Sequence, residues 1–174
     1  MTANQSDPTA GHECRWAMKP HTGAERFLDG GWWPRSADPA AEFPPLITAM
    51  SALGMSVLGV SFHLGTWGPG GRRLTLHDTV VQLEGFRSAE PHTVTVIGPH
   101  RRRTRLLVIP PATPAGAARA ALRAAAEADT DATAEDILRW NNIPIPGKRA
   151  DKTTLDSRAK PRREARPAED RSTS

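Results

Sequence analysis

The sequence predicts an α+β domain: a mostly antiparallel sheet of about five to seven strands, one helix after a tryptophan-rich corner, and one or two C-terminal helices. Three observations carry this. Short segments alternate at the two-residue period of a strand, they are joined by hairpin-like turns, and helical periodicity is confined to the stretches before and after them.

In chain order, residues 1–12 are polar and expected to be disordered. CRWAM (Cys14–Met18) alternates as a short strand with Cys14, Trp16 and Met18 on one face. LDGGWWPRSADPAAEFPPL (Leu28–Leu46) follows, the densest run of unusual chemistry in the chain. Gly30 and Gly31 permit a strand entry or close backbone approach. Pro34 pushes Trp33 towards extended backbone, so Trp32 and Trp33 point to opposite faces. One indole is expected in the core and the other at the surface or in a groove. Arg35 lies two residues beyond Trp33, where a guanidinium can stack on indole.

Asp38 reads as an N-cap with Pro39 in the first helical position. Phe43, Leu46, Ile47, Met50 and Leu53 then mark one helical face, ended by Gly54. Pro44 and Pro45 fit only a first turn, which places the regular start of this helix near them. MSVLGVSFHL (Met55–Leu64) is the best strand candidate, with Leu58, Val60, Phe62 and Leu64 on its apolar face. GTWGPGG (Gly65–Gly71) is loop chemistry with Trp67 at its tip. Two hairpins follow. Residues 72–76 and 79–83 flank His77-Asp78, and residues 92–97 and 104–109 flank a Gly98-Pro99 turn with His100 and Arg101–Arg103.

Pro110-Pro111 ends the last strand, and Thr113 with Pro114 opens an alanine-rich helix running to Ala128. Thr133 and Asp136 form a capping box for a short helix bearing Ile137, Leu138 and Trp140. Ile143–Pro146 reads as a polyproline-like linker. The domain is therefore expected over 13–142, with a proline-containing linker and disordered tail over 143–174.

Charge is unevenly divided. From Gly147 onward there are nine Lys/Arg and five Asp/Glu, so residues 1–146 hold the remaining 14 of each and are net neutral. The basic character belongs to the tail, which weakens a nucleic-acid reading of the folded body. Cys14 is the only cysteine, so no intramolecular disulfide forms. The N-terminus lacks the basic and apolar regions of a secretory signal, and the apolar stretch 49–64 is too interrupted to span a membrane. A cytoplasmic location is expected.

The segments at Gly31–Ser36, Asp38–Pro44, Gly85-Phe86, Pro91–Thr93 and Leu106–Pro111 resemble those of an actinobacterial family of small proteins bearing a domain of unknown function. That family shows G-x-WWPRS, an acid-led helix with an E-[LF]-P element, GF, P-H-T and LLV-x-PP. The resemblance covers roughly residues 13–128 and implies no activity. His77-Asp78 departs from the glycine-containing turn expected of it.

Candidate chemistry is sparse. The histidines at 12, 21, 63, 77, 92 and 100 form no tight pair with one another, and no H-x-x-x-H or C-x-x-C exists, so no metal ligand set is read. Gly59–His63 is half a nucleophile elbow set in mid-strand, and Gly65–Arg73 is a turn rather than a phosphate loop. No cofactor motif is present. The arginines of HRRRTR (100–105) can bind phosphate or an acidic partner, or simply keep a sheet edge soluble. The leading expectation is a non-catalytic module that binds a protein or small ligand through Trp32, Trp33, Arg35, Asp38 and Trp67, because Trp and Arg dominate binding hot spots. The alternatives are an enzyme with acid-base residues among Arg35, Asp38, Glu42 and His63, and weak non-specific nucleic-acid association through the tail.

Overall fold

Two glycines let a neighbouring strand and a helix close on one strand. The computed structural model describes residues 14–20, 27–127 and 131–145. Strand β1 (Trp16–Met18) pairs antiparallel with β2 (Gly30–Trp32), in register Trp16 to Trp32. A Cβ on Gly30 would overlap the Ala17 carbonyl oxygen, and one on Gly31 would reach 3.0 Å from the Ala125 Cβ of the helix above. The glycine pair therefore allows close approach of a strand on one side and a helix on the other.

Asp38 caps α1 (Pro39–Ala52), its carboxylate accepting from the Ala40 N–H at 3.0 Å. Pro44 and Pro45 lie inside this helix, not at its start. The carbonyls they leave without an N–H belong to Ala40 and Ala41, which are exposed and within reach of water. Phe43, Leu46, Ile47 and Met50 are buried as the period requires, but Leu53, at the C-cap, is 65 % exposed. Gly54 ends the helix at φ 77°.

Next come β3 (Gly59–His63), β4 (Arg73–Leu76), β5 (Thr79–Phe86), β6 (Thr93–Ile97), a 3-10 turn at Pro99–Arg101 and β7 (Arg103–Val108). The β3 ladder is shorter than its apolar run. Leu58 and Leu64 lie outside it and are exposed, while Val60 and Phe62 are buried. The seven-stranded sheet has the order β1-β2-β7-β6-β3-β5-β4. Pairs β1–β2, β3–β6, β4–β5 and β6–β7 are antiparallel, but β2–β7 and β3–β5 are parallel. The sheet is thus mixed, a correction to the mostly antiparallel expectation. Local hairpins set the antiparallel pairs, and the long connections out of β2 and β3 bring them beside non-consecutive neighbours in the parallel sense.

Both predicted hairpins form. His77 and Asp78 turn the first with φ of 44° and 63°, the left-handed pair that a two-residue type I′ turn demands. His100 and Arg101 do the same in the second, at 56° and 59°.

Helices α2 (Ala115–Ala126) and α3 (Ala134–Trp140) complete the fold. Pro114, not Thr113, is the N-cap of α2, and the Thr113 hydroxyl caps nothing and has no hydrogen-bond partner. The Thr133–Asp136 capping box forms as read, with side-chain to backbone bonds in both directions. Trp140 is exposed, whereas Ile143, placed in the linker by its sequence, is 3 % exposed and packs with Ile137 and Leu138. Expectations for residues 1–12, and for the chain beyond 145, fall outside the described residues.

The core divides into two layers on opposite faces of the sheet. One face buries Trp32, Val60, Val94 and Leu106 under α1, and the other buries Trp33, Leu107 and Ile109 under α2 and α3. Both indoles at the corner are buried, at 2 % and 8 % exposure, so neither is the surface residue that alternation left open.

Replacing Trp32 with alanine removes the largest side chain of the α1 layer and should cost about 3–5 kcal/mol. Denaturant melts measure this directly, and a wild-type midpoint would show that the indole is not structural. Substituting the strained turn as H77N/D78G should raise stability by roughly 0.5–1 kcal/mol, because Asn-Gly adopts positive φ at little cost. An unchanged or lower midpoint would count against a strained turn.

Candidate functional site

The corner after β2 gathers most of the residues singled out in the sequence, but in different roles. Trp32 points into the α1 layer, where it stacks on Trp67 with centroids 5.3 Å apart and planes 15° from parallel. Phe43 closes the group, 4.9 Å from Trp67 and 5.9 Å from Trp32. Trp67 is therefore a core residue, not a loop tip, at 4 % exposure. The glycine-rich loop folds it inward, tethered by Gly68 N–H to the Ala37 carbonyl (2.8 Å) and by the Thr66 hydroxyl to the Pro91 carbonyl (2.9 Å). The indole N–H groups of Trp33 and Trp67 are buried without a partner, a cost of about 1–3 kcal/mol each.

Trp33 carries a cation, but not the expected one. The Arg15 guanidinium lies 3.5 Å from the centre of the Trp33 ring. It also donates to the Trp33 carbonyl (3.1 Å) and the Pro34 carbonyl (2.9 Å). Arg35 does not take this place; it is exposed at the rim of the corner. The signal for Arg15 was its strand position: it alternates opposite Cys14 and Trp16, and the pairing of β1 with β2 carries it to Trp33.

Glu42 is buried, with 8 % exposure. One carboxylate oxygen accepts from the Arg35 backbone N–H at 3.0 Å and the other from the Ser36 hydroxyl at 2.9 Å. The carboxylate thus ties the strand exit to the first turn of α1. Cys14 sits beside it, and burial, reinforced by the Glu42 charge, pushes its thiol up to about 11. A hydrogen bond from the Trp32 side chain and the charge of Arg15 oppose that rise. Burial and the nearby Arg35 charge hold the Arg15 pKa below its usual value.

Together Cys14, Arg15, Trp32, Trp33, Arg35, Ala41, Glu42 and Pro45 line a shallow depression of about 60 Å³. That is room for a few waters or one small functional group, not a whole substrate. Asp38 and His63 are not part of its lining. Asp38 is engaged as a helix cap, and the His63 ring accepts from the Gly65 N–H at 3.1 Å and contacts the Thr66 hydroxyl at 3.1 Å. Of the four residues named for acid-base chemistry, Arg35 and Glu42 share the depression, while Asp38 and His63 lie outside its lining. Among the described residues, no group of three or more His, Cys, Asp or Glu is arranged to hold a metal. Nor is any helix among them long and apolar enough to cross a membrane.

A family profile described as "Family of unknown function (DUF5994)" matches residues 15–125. The chain belongs to this family. The DUF5994 match opens at Arg15, on the Trp33 ring, and ends in the last turn of α2. The second core layer of this family member is completed beyond the matched span, by Ile137, Leu138 and Ile143. No curated protein and no solved structure matches the chain.

A thiol with a raised pKa stabilises the fold while it stays protonated. The unfolded thiol ionises near its ordinary value of 9.0 and the folded one near 11, so the contribution is complete below the first pH and lost as pH rises through the second. Melts of wild type should therefore lose stability between these values relative to Cys14→Ala, by on the order of 1 kcal/mol after solvent screening. Parallel curves for the two proteins would contradict a buried neutral thiol.

Proposed function

We propose that this DUF5994 protein is a non-catalytic binding module that receives an anionic group of a small ligand or protein partner at the Arg15–Arg35 corner. The observation that carries the reading is that Arg15 and Arg35 both line a depression too small for a whole substrate, in which the one carboxylate, Glu42, is already held by two hydrogen bonds. Two like charges near each other lower their mutual cost by sharing a carboxylate or phosphate. Trp33 and Arg15 form a rigid wall, and Arg35 at the rim is the adjustable donor. Trp32 forms part of the lining, and the Trp67 indole stacked on it supports the site from behind.

The groups that catalysis would need are already engaged. Glu42 holds two hydrogen bonds, Asp38 caps α1, and the Cys14 thiol is far from ionised at neutral pH. The WWPRS and LLVIPP segments, taken as the family's signature, support the same placement: the first forms the corner, and the second includes the β7 segment that pairs with β2.

Heteronuclear NMR titration of the full chain with glutamate, citrate and inorganic phosphate tests the proposal. Saturable shifts should concentrate on the Arg35 amide, the Arg15 side chain and the Trp33 indole. Arg35→Ala should weaken binding by roughly tenfold, the scale of one charged hydrogen bond, without moving the thermal midpoint. Shifts scattered over the surface, or an R35A variant that binds as well as wild type, would refute it.

A further inference from the structure

The helices cover only half of the sheet face on which α2 and α3 lie. Strand register lays the other half out in rows. Arg103, Ile97, Gly59, Gln82 and Arg73 face one another across β7, β6, β3, β5 and β4. The next row holds Arg105, Thr95, Ser61 and Glu84, and beyond it His63 stands opposite Phe86. In that last row Thr93 and Leu107 are buried, at 7 % and 0 %, which marks the boundary of the helical cover. On the open side Arg73, Arg103, Arg105, Gln82 and Glu84 are exposed, and Phe86 is 46 % exposed.

This surface has a definite shape and charge. Gly59, Ser61 and Thr95 make a low floor along β3 and β6, with arginines standing on both sides. Three arginines against Glu84 and Asp29, the latter accepting from the Arg105 backbone N–H at 2.7 Å, leave the rows positive by one charge, although the body of the chain is neutral. Along these rows the apolar residues Ile97, Phe86 and Val80 are separated by glycine and polar side chains, which gives a protein partner little continuous apolar surface there among the described residues. The chain's own basic tail and a second copy of this face carry the same sign and are repelled. Charge complementarity calls for an anionic occupant that needs no apolar anchor beyond a stacking ring.

We propose that this open face binds single-stranded nucleic acid, with Arg103 and Arg105 on backbone phosphates and Phe86 as a stacking platform. Arg103 and Arg105 are two residues apart on one strand, roughly 7 Å, a spacing that successive phosphates of an extended strand can match. Arg73 supplies a cation on the far side of the floor, where the strand exits. Ser61, Thr95 and Gln82 offer neutral donors and acceptors to base edges, and an exposed ring on a sheet is a sequence-tolerant platform for bases. A duplex fits worse, since its bases are not free to stack on Phe86. Glu84 lies beneath the path and opposes it, so its charge weakens binding.

Fluorescence anisotropy of the full chain with a labelled oligothymidylate of about 15 nucleotides across a salt series tests this. R103S/R105S should lower affinity roughly tenfold and reduce the log–log salt slope by about 1.4, the value for two lost phosphate contacts on a single strand. F86S should weaken binding fivefold or more with an unchanged slope, and E84Q should strengthen it. All four positions are exposed, so melting midpoints should stay at wild type. A control, R162S/R163S/R166S, removes tail charge and should change affinity less than the face variants do. The proposal is overturned if the tail variant abolishes binding while the face variants bind normally. It is overturned equally if a duplex of the same length, or an acidic peptide of the same charge, binds as tightly as the single strand.

Discussion

Two adjacent indoles, Trp32 ending a three-residue strand and Trp33 just beyond it, hold the two halves of this molecule together. Because side chains alternate across a strand, Trp32 enters the layer under α1 while Trp33 enters the layer under α2 and α3. Neither layer is large, and each is built around one of these rings. The strand that ends in Trp32 has glycine at its first two positions, which allows β1 and α2 to approach its backbone closely. Bulk on both sides of the corner and none just before it are parts of one constraint.

That constraint shapes what the corner can do. Trp32 is locked in a stack with Trp67 and Phe43, and Glu42 binds the strand exit to the helix start. The polar groups left at the surface are guanidiniums, one pinned over Trp33 and one at the rim. The proposed recognition of an anionic group rests on a rigid aromatic wall bearing one fixed cation, Arg15, so that little conformational freedom is lost there on binding. The one buried carboxylate there, Glu42, already accepts two hydrogen bonds.

The uneven cover of the sheet is a second consequence of the same geometry. Alanine-rich α2 packs closely over Gly31 because small residues meet there, and this draws both C-terminal helices to the β1-β2-β7 end. The β6-β3-β5-β4 end keeps one face open, on which arginine, threonine, serine, glutamine and Glu84 surround the apolar Val80, Phe86 and Ile97. Burial on one face and polarity on the other appear in β5, where Val81 and Leu83 are buried while Gln82 and Glu84 are exposed.

Local signals carried much of this structure. The Asp38 cap, the Thr133–Asp136 box, the two hairpins and the opposite facing of Trp32 and Trp33 all follow from interactions between residues a few positions apart, and each was legible in the chain. Properties that depend on distant partners were not. The parallel pairings of β2 with β7 and β3 with β5 join strands that no short turn connects. The stacking of Arg15 on Trp33, in place of the nearer Arg35, follows from the pairing of β1 with β2. Trp67 looked like a loop tip because glycines surround it, yet those glycines let the loop fold back and bury it against Trp32. Pro44 and Pro45 sit inside a helix because the carbonyls they orphan face solvent, and Ile143 is buried because α3 turns it back onto Leu138. Alternation and capping are written in neighbouring residues, so the sequence determined them alone. Which strands become neighbours, and which rings and charges meet, is set by long-range packing, and only the tertiary structure decided it.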